Sequence, residues 1–226
     1  MGHLSKYINS SIGKKQIVAV TGLLLVGFVI GHLAGNLFIY AGPEAFNGYA
    51  KKLQSLRPGL YGIEFGLLFL FFIHMWLTSL IVLENIRARS RQYAVVQSVG
   101  ERSLSTRLMP FSGTVILSFV IWHLVDFTFA DHNGPRSIMP NGESLGLYGV
   151  VYNAFCDPIH SILYIIAMIA LGMHLRHGIQ SFAQTFGFNH PSHTPCIHTV
   201  SKALGILVTV GYSSIPVYIL LDSLKY

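Results

Sequence analysis

Five stretches of the chain are apolar and contain no formally charged residue: Gln16 to Pro43, Phe65 to Leu83, Leu108 to Val125, Pro158 to Leu175 and Ala203 to Leu221. Each holds about 18 residues or more, which at about 1.5 Å per residue crosses a hydrocarbon core of about 30 Å. Lipid admits only helices or closed barrels, and these runs are continuous rather than alternating. The pattern therefore predicts helices over approximately 16–41, 60–86, 108–129, 158–182 and 201–222. The expected fold class is all-α, a bundle of five transmembrane helices forming one domain over residues 1–226. The first run is expected to stay as a span. Its apolar part is too long for a cleaved signal peptide, and no small-residue cleavage site leads into a polar domain.

The connections differ in character. Pro43 to Leu56 places Phe46, Tyr49, Leu53 and Leu56 where a short helix lying on the outer surface would bury them. Leu83 to Met109 is basic. Phe127 to Asp157 reads as a long outer loop punctuated by Gly and Pro, and Gly187 to Pro195 as a turn rich in His and Pro. None of them is a soluble catalytic domain.

Composition narrows the function classes. The 226 residues are 52% hydrophobic and 11% charged, against roughly 25% charged in an average soluble domain, and the mean hydropathy is +0.54. Disorder and a soluble globule are excluded, and two cysteines cannot staple a chain of this size. The net charge of +6 flanks apolar runs rather than interleaving with aromatics, which argues against a nucleic-acid partner. With the N-terminus inside, the inner segments hold Lys6, Lys14, Lys15, Arg87, Arg89, Arg91, Arg102, Arg107, Arg176 and Lys202, ten of the fifteen Lys and Arg residues. The positive-inside bias thus predicts an N-in, C-out topology. Cys156 and Cys196 then lie at opposite faces and cannot bond to each other.

Eleven histidines in so apolar a chain carry the chemistry, because an imidazole inside a bilayer is costly unless it has a partner there. His32, His74, His123 and His174 fall one each on helices 1 to 4. The predicted topology gives their depth. His32 lies about 12 Å before the outer end of its helix, and His123 closely precedes Asp126 and the outer loop. His74 is about 14 Å short of the inner end at Leu83, and His174 is two residues before Arg176. His32 and His123 therefore share an outer level, and His74 and His174 an inner one. Two imidazoles facing each other across a bundle are what a bis-histidine haem requires, and two levels imply two stacked haems b.

A local repeat accompanies the pairing. Thr21-Gly22 precedes His32 as Ser112-Gly113 precedes His123, with nine residues between glycine and histidine in both. Ten helical steps are about 15 Å, so each glycine lies one level below its histidine, where a macrocycle edge would approach the backbone. The Thr21 and Ser112 hydroxyls could bond a propionate or their own backbone. Gly27, Gly31 and Gly35 have the spacing of close helix packing, with Gly31 adjoining His32. His177 rivals His174 but suits a propionate at the inner interface, and His160 lies at the outer end of helix 4. Helix 5 carries no histidine after Lys202 and is expected to pack the bundle's flank or a neighbouring protomer.

The run Ser10-Ser11-Ile12-Gly13-Lys14-Lys15, Thr21-Gly22, and Gly31-His32-Leu33-Ala34-Gly35-Asn36-Leu37 resembles the dihaem cytochrome b subunit of bacterial succinate dehydrogenase and fumarate reductase. So do Phe46-Asn47, Arg91-Gln92-Tyr93, Trp122-His123 and the segment from His174 to Phe182. The resemblance spans essentially the whole chain. It implies a multi-pass anchor in the bacterial cytoplasmic membrane for two partner subunits, docked on the cytoplasmic face. One is a flavoprotein with FAD, which handles succinate or fumarate. The other carries iron–sulfur clusters. The anchor's role is to pass electrons between those clusters and a quinone, commonly menaquinone. The family's pattern assigns His32 and His123 to the distal haem iron and His74 and His174 to the proximal one. The resemblance leaves open the reaction direction and whether the complex dimerises.

Quinone chemistry needs a proton-exchanging group near the outer haem. Asp126, Asp157, His160, Tyr40 and Gln54 are the candidates, with Glu64 at the outer start of helix 2 another. The family's fumarate reductases carry a glutamate after the surface helix. Gln54 falls near that place, so this chain departs from the pattern there. Propionate candidates at the inner surface are Lys15, Arg102, Arg107, Arg176, His177 and Lys202. Two other readings stand beside this one: the cytochrome b subunit of a formate dehydrogenase, hydrogenase or nitrate reductase, and a haem-free transporter using the histidines for protons or ions.

Overall fold

The computed structural model describes residues 2–88 and 104–225. Arg102 and the Arg91-Gln92-Tyr93 segment lie outside the described residues, as does the side chain of Arg107. Among the described residues, eight α-helices run in the order α1 (His3–Asn9), α2 (Ser11–Asn36), α3 (Pro43–Gln54), α4 (Gly59–Arg87), α5 (Leu104–His123), α6 (Gly146–Phe155), α7 (Pro158–Thr185) and α8 (Thr194–Ser223). Among the described residues there is no strand beyond one isolated bridge, Ile138 to Ser144. Among the described residues, five helices are long and apolar enough to cross a membrane: α2, α4, α5, α7 and α8.

Local chemistry sets the helix ends. The Ser10 side chain accepts from the Gly13 N–H at 3.0 Å and so starts α2. Asp157 does the same for α7, accepting from the Ile159 N–H at 2.9 Å, with Pro158 in the first turn. At Gly42 the backbone takes φ +90°, which L side chains resist, and the chain turns there from the first span into α3. Several helices outrun the apolar pattern that predicted them. α2 begins at Ser11, before Lys14 and Lys15, and α8 begins at Thr194, inside a polar segment. Hydropathy marks where lipid begins, whereas a helix continues to its cap.

One expected loop is partly a helix. The segment before α7 contains α6, which buries Tyr148, Gly149, Val150, Val151, Tyr152 and Phe155. Its ten residues are too few to span lipid, so the apolar-run criterion passed over them. α6 and α3 form a cap over one end of the bundle. Asn47 joins them: its Nδ2 donates to the Leu145 carbonyl at 2.8 Å, and its Oδ1 accepts from the Tyr148 N–H at 3.0 Å. Beneath the cap, Ile39, Phe46, Tyr148, Tyr152, Phe155 and Tyr164 pack with Ile215 and Ile219 of α8. This is the loop end of the molecule, and the opposite, N-terminal end carries Lys14 and Lys202.

α7 is the structural centre. It packs along α8 and also against α2 and α5, while α4 packs chiefly on α2. α8, expected on the flank, also reaches α2 and buries Ser201, Gly205, Val208, Ile215, Pro216 and Ile219. The peripheral helix is α4, none of whose residues is buried. Small residues allow the α7–α8 contact. A Cβ on Gly172 would meet the Gly205 carbonyl oxygen at 2.6 Å, and one on Gly205 would meet that of Gly172 at 2.7 Å. The Thr209 hydroxyl donates across the same seam to the Met168 carbonyl at 3.2 Å. At the N-terminal end Lys14 of α2 pairs with Glu84 of α4.

Gly172→Val should force α7 and α8 apart and cost about 1–3 kcal/mol, read as a lower melting temperature of the purified protein in detergent. Gly66→Val on α4, where an added Cβ meets nothing within 4 Å, should leave it nearly unchanged. Equal melting temperatures for the two variants would contradict this packing.

Candidate functional site

The four spanning histidines meet two by two. His32 of α2 and His123 of α5 have ring centroids 5.9 Å apart at an interplanar angle of 84°. His74 of α4 and His174 of α7 have centroids 6.5 Å apart at 67°. The two pairs lie at different levels. Thr21 touches His74, and His32 lies eleven residues further along α2, about 16 Å on. Ser112 touches His174, and His123 lies eleven residues further along α5, the same distance on.

The repeated dipeptides have a repeated role. Thr21 and Ser112 are both buried. The Thr21 Oγ1 is 3.2 Å from His74 Nδ1, and the Ser112 Oγ is 3.1 Å from His174 Nδ1. His74 Nδ1 is also 3.2 Å from the Val18 carbonyl. Beside each hydroxyl, the glycine faces the same ring. A Cβ on Gly22 would come 3.1 Å from His74 Cε1, and one on Gly113 would come 3.7 Å from His174 Cε1. Both hydroxyls also bond their own helix, one of the two alternatives the sequence left open. Close packing is found at one member of the other glycine series. A Cβ on Gly35 would strike the Tyr49 ring at 2.6 Å, whereas one on Gly27 or Gly31 would meet nothing within 4 Å among the described residues.

The His32–His123 pair sits among aromatic rings. Phe28 stacks on His32 at 5.3 Å and Phe119 on His123 at 5.6 Å, with Tyr212, Phe127 and Tyr164 close by. His123 Nδ1 is buried and has no hydrogen-bond partner among the described residues. Directly after His123, α5 widens into one π-helical turn, Leu124–Thr128, of the kind that often marks functional sites. That turn aims Asp126 inward. Its carboxylate is buried and accepts from the Tyr164 hydroxyl at 2.9 Å and from Arg136 Nη2 at 3.2 Å. His160 Nε2 lies 3.0 Å from the same carboxylate, off the line of a hydrogen bond. His160 in turn stacks on Tyr164 at 4.8 Å and touches Trp122 at 4.8 Å.

The remaining candidates scatter. Asp157 is exposed and occupied as the α7 cap. The Tyr40 hydroxyl donates to Ser214 Oγ at 2.6 Å. Gln54 is exposed at the last turn of α3, and Glu64 pairs with Arg57 at 3.2 Å. At the N-terminal end Arg176 Nε is buried without a hydrogen-bond partner among the described residues, and His177 follows it on α7. Lys15 and Lys202 are exposed. The sequence offers Asp126 and His160 as candidates but not Tyr164 and Arg136, which bond the same carboxylate. Tyr164 sits one helical turn after His160, a spacing that could have pointed to it.

The donor set suits haem. Among the described residues no cluster of three or more His, Cys, Asp or Glu forms a protein-only metal site, but a porphyrin leaves just two axial positions to the protein. With ring centroids 5.9 and 6.5 Å apart, the two imidazoles of each pair stand close enough that one haem iron could be held by both.

No family model matches the chain, and no solved structure does. Over 200 residues, 88% of this chain and 90% of the other, it is 26% identical to the succinate dehydrogenase cytochrome b558 subunit of Bacillus subtilis (strain 168). Across almost its whole length, then, the chain is similar to a succinate dehydrogenase cytochrome b subunit, in agreement with the family its own histidines and glycines resemble.

Proposed function

We propose that this chain is the membrane-anchor cytochrome b of a succinate:quinone oxidoreductase, carrying electrons between an iron–sulfur partner subunit and a membrane quinone of the menaquinone type. The observation that carries the reading is the meeting of four intramembrane imidazoles in two pairs at two levels. His74 and His174 hold an inner haem b, and His32 and His123 an outer one. Each haem, when bound, supplies a one-electron iron couple. The topology is N-in, so the flavoprotein and iron–sulfur subunits dock at the basic cytoplasmic end, near His174 and Arg176. Arg176, whose Nε is buried without a partner among the described residues, and His177 are the candidates to meet an inner propionate.

The chain's residues at the loop end suit quinone chemistry. Asp126 and His160 touch each other, and Tyr164 donates to Asp126 while its ring lies 6.3 Å from that of His123. Asp126 and His160 are the proton carriers of this reading, and Arg136 and Tyr164 hold the carboxylate in place. Gln54 and Asp157 have no such company and take no part. The similarity to a succinate dehydrogenase subunit favours this reading over the other quinone-linked cytochromes. The transporter reading finds less support, because each span is continuous helix through its middle, without the broken helices such proteins use at the midplane.

Replacing the histidines by alanine one at a time, with haem counted per chain, tests the assignment. His32→Ala or His123→Ala should each remove the same haem, and His74→Ala or His174→Ala the other. Loss that follows any other pairing would contradict it. Asp126→Asn should retain both haems and lower quinone turnover by roughly 10²-fold, while Asp157→Asn leaves turnover near that of the parent. Undiminished turnover in Asp126→Asn would remove this residue from the proton route.

A further inference from the structure

We infer that Thr21 and Ser112 are positioning residues for the His74–His174 site: each hydroxyl accepts the Nδ1–H of its histidine, turning Nε2 to the metal and holding that iron harder to reduce. The inference rests on the reading that His74 and His174 hold a haem iron.

A hydroxyl has one proton to donate and lone pairs to accept with. The Thr21 proton is directed back to its own helix, with Oγ1 2.8 Å from the Ile17 carbonyl and 3.1 Å from that of Val18. The Ser112 hydroxyl lies 3.1 Å from the Met109 carbonyl and 3.1 Å from His174 Nδ1, and we assign its proton to the carbonyl, as at the matching Thr21 site. On that assignment each hydroxyl turns only lone pairs to its ring nitrogen, and the nitrogen carries the proton. For His74 the Val18 carbonyl gives a second, independent reason. It lies 3.2 Å from Nδ1, and a carbonyl can only accept. A neutral imidazole protonated at Nδ1 presents the Nε2 lone pair as its ligating atom.

The glycines complete the seat. Any side chain at Gly22 would press on the His74 ring, whose Cε1 lies 3.1 Å from where a Cβ would stand. The hydroxyl–glycine dipeptide therefore orients an imidazole and leaves room for it, once on α2 for the histidine of α4 and once on α5 for that of α7. Both hydroxyls are buried, at 6% and 3% exposure, so water does not compete for these bonds. The other level is built differently. There the buried Nδ1 of His123 has no hydrogen-bond partner among the described residues.

The electronic consequence follows from general coordination chemistry. Donation of Nδ1–H to an acceptor raises the basicity of the ligating imidazole. A more basic ligand favours the more highly charged ferric state, and hydrogen bonding around the ligands is one of the protein's levers on haem potential. Removing either hydroxyl should therefore raise the potential of the His74–His174 haem and leave the other where it was.

The test uses the full chain in its membrane complex, with haem counting and a spectroelectrochemical titration of both haems. The His74→Ala variant, which keeps the other haem alone, identifies which potential belongs to which site. In Thr21→Val and Ser112→Ala both haems should remain, with the potential of the His74–His174 haem shifted upward, further in the double variant. Thr21→Ser and Ser112→Thr should hold the parent values. Loss of that haem alone in Thr21→Val, reversed by Thr21→Ser, supports the inference equally. An unmoved or lowered potential, an equal shift at both haems, or a change that Thr21→Ser fails to reverse would overturn it. A parent protein without haem would instead defeat the haem reading, and this inference with it.

Discussion

An imidazole carried into hydrocarbon must find a partner, and the arrangement of this molecule follows from satisfying four of them. Each spanning histidine leaves its helix face toward a second histidine from another span. The pairs use four different helices, so α2, α4, α5 and α7 must all converge. That requirement explains why helices with little mutual backbone contact lie close enough for their rings to meet. α4 illustrates the point. It buries no residue, yet His74 on it is held by Thr21 and Val18 of α2, and Lys14 pairs with Glu84 at its far end.

Rigidity comes from elsewhere. The α7–α8 seam, where Gly172 and Gly205 bring two backbones into contact, gives α7 a fixed line on which His174, Tyr164 and His160 stand. The cap of α3 and α6, joined through Asn47, closes the loop end. The π-helical turn after His123 then decides where Asp126 points. Without that extra residue in the turn, the carboxylate three positions on would lie on a different face of α5. The candidate electron carriers and the candidate proton carriers are thus set by adjacent turns of the same helix.

Much of this was legible in the chain. Charge-free runs of spanning length predicted all five crossing helices, because lipid tolerates no alternative. The grouping of the four histidines into two pairs is legible from helix rise and the alternating direction of the spans, and the Thr21-Gly22 and Ser112-Gly113 repeat points to a shared role at one level. What those dipeptides touch was not legible, since periodicity places a residue at a height without saying which neighbouring helix it faces. α6 escaped because a ten-residue buried helix has the composition of a span and the length of a loop. Tyr164 and Arg136 escaped for a related reason. Both reach Asp126 across tertiary contacts, one from α7 and one from the segment before α6; nothing local announces Arg136, and only the one-turn spacing from His160 points to Tyr164.

In the proposed function each imidazole pair receives one metal-bearing macrocycle. The most direct measurement is the protohaem content of the purified parent protein, by alkaline pyridine absorbance against protein mass. Two haems b per chain is the result the two-level arrangement predicts. A colourless protein, or one haem per chain with all four histidines intact, would contradict it.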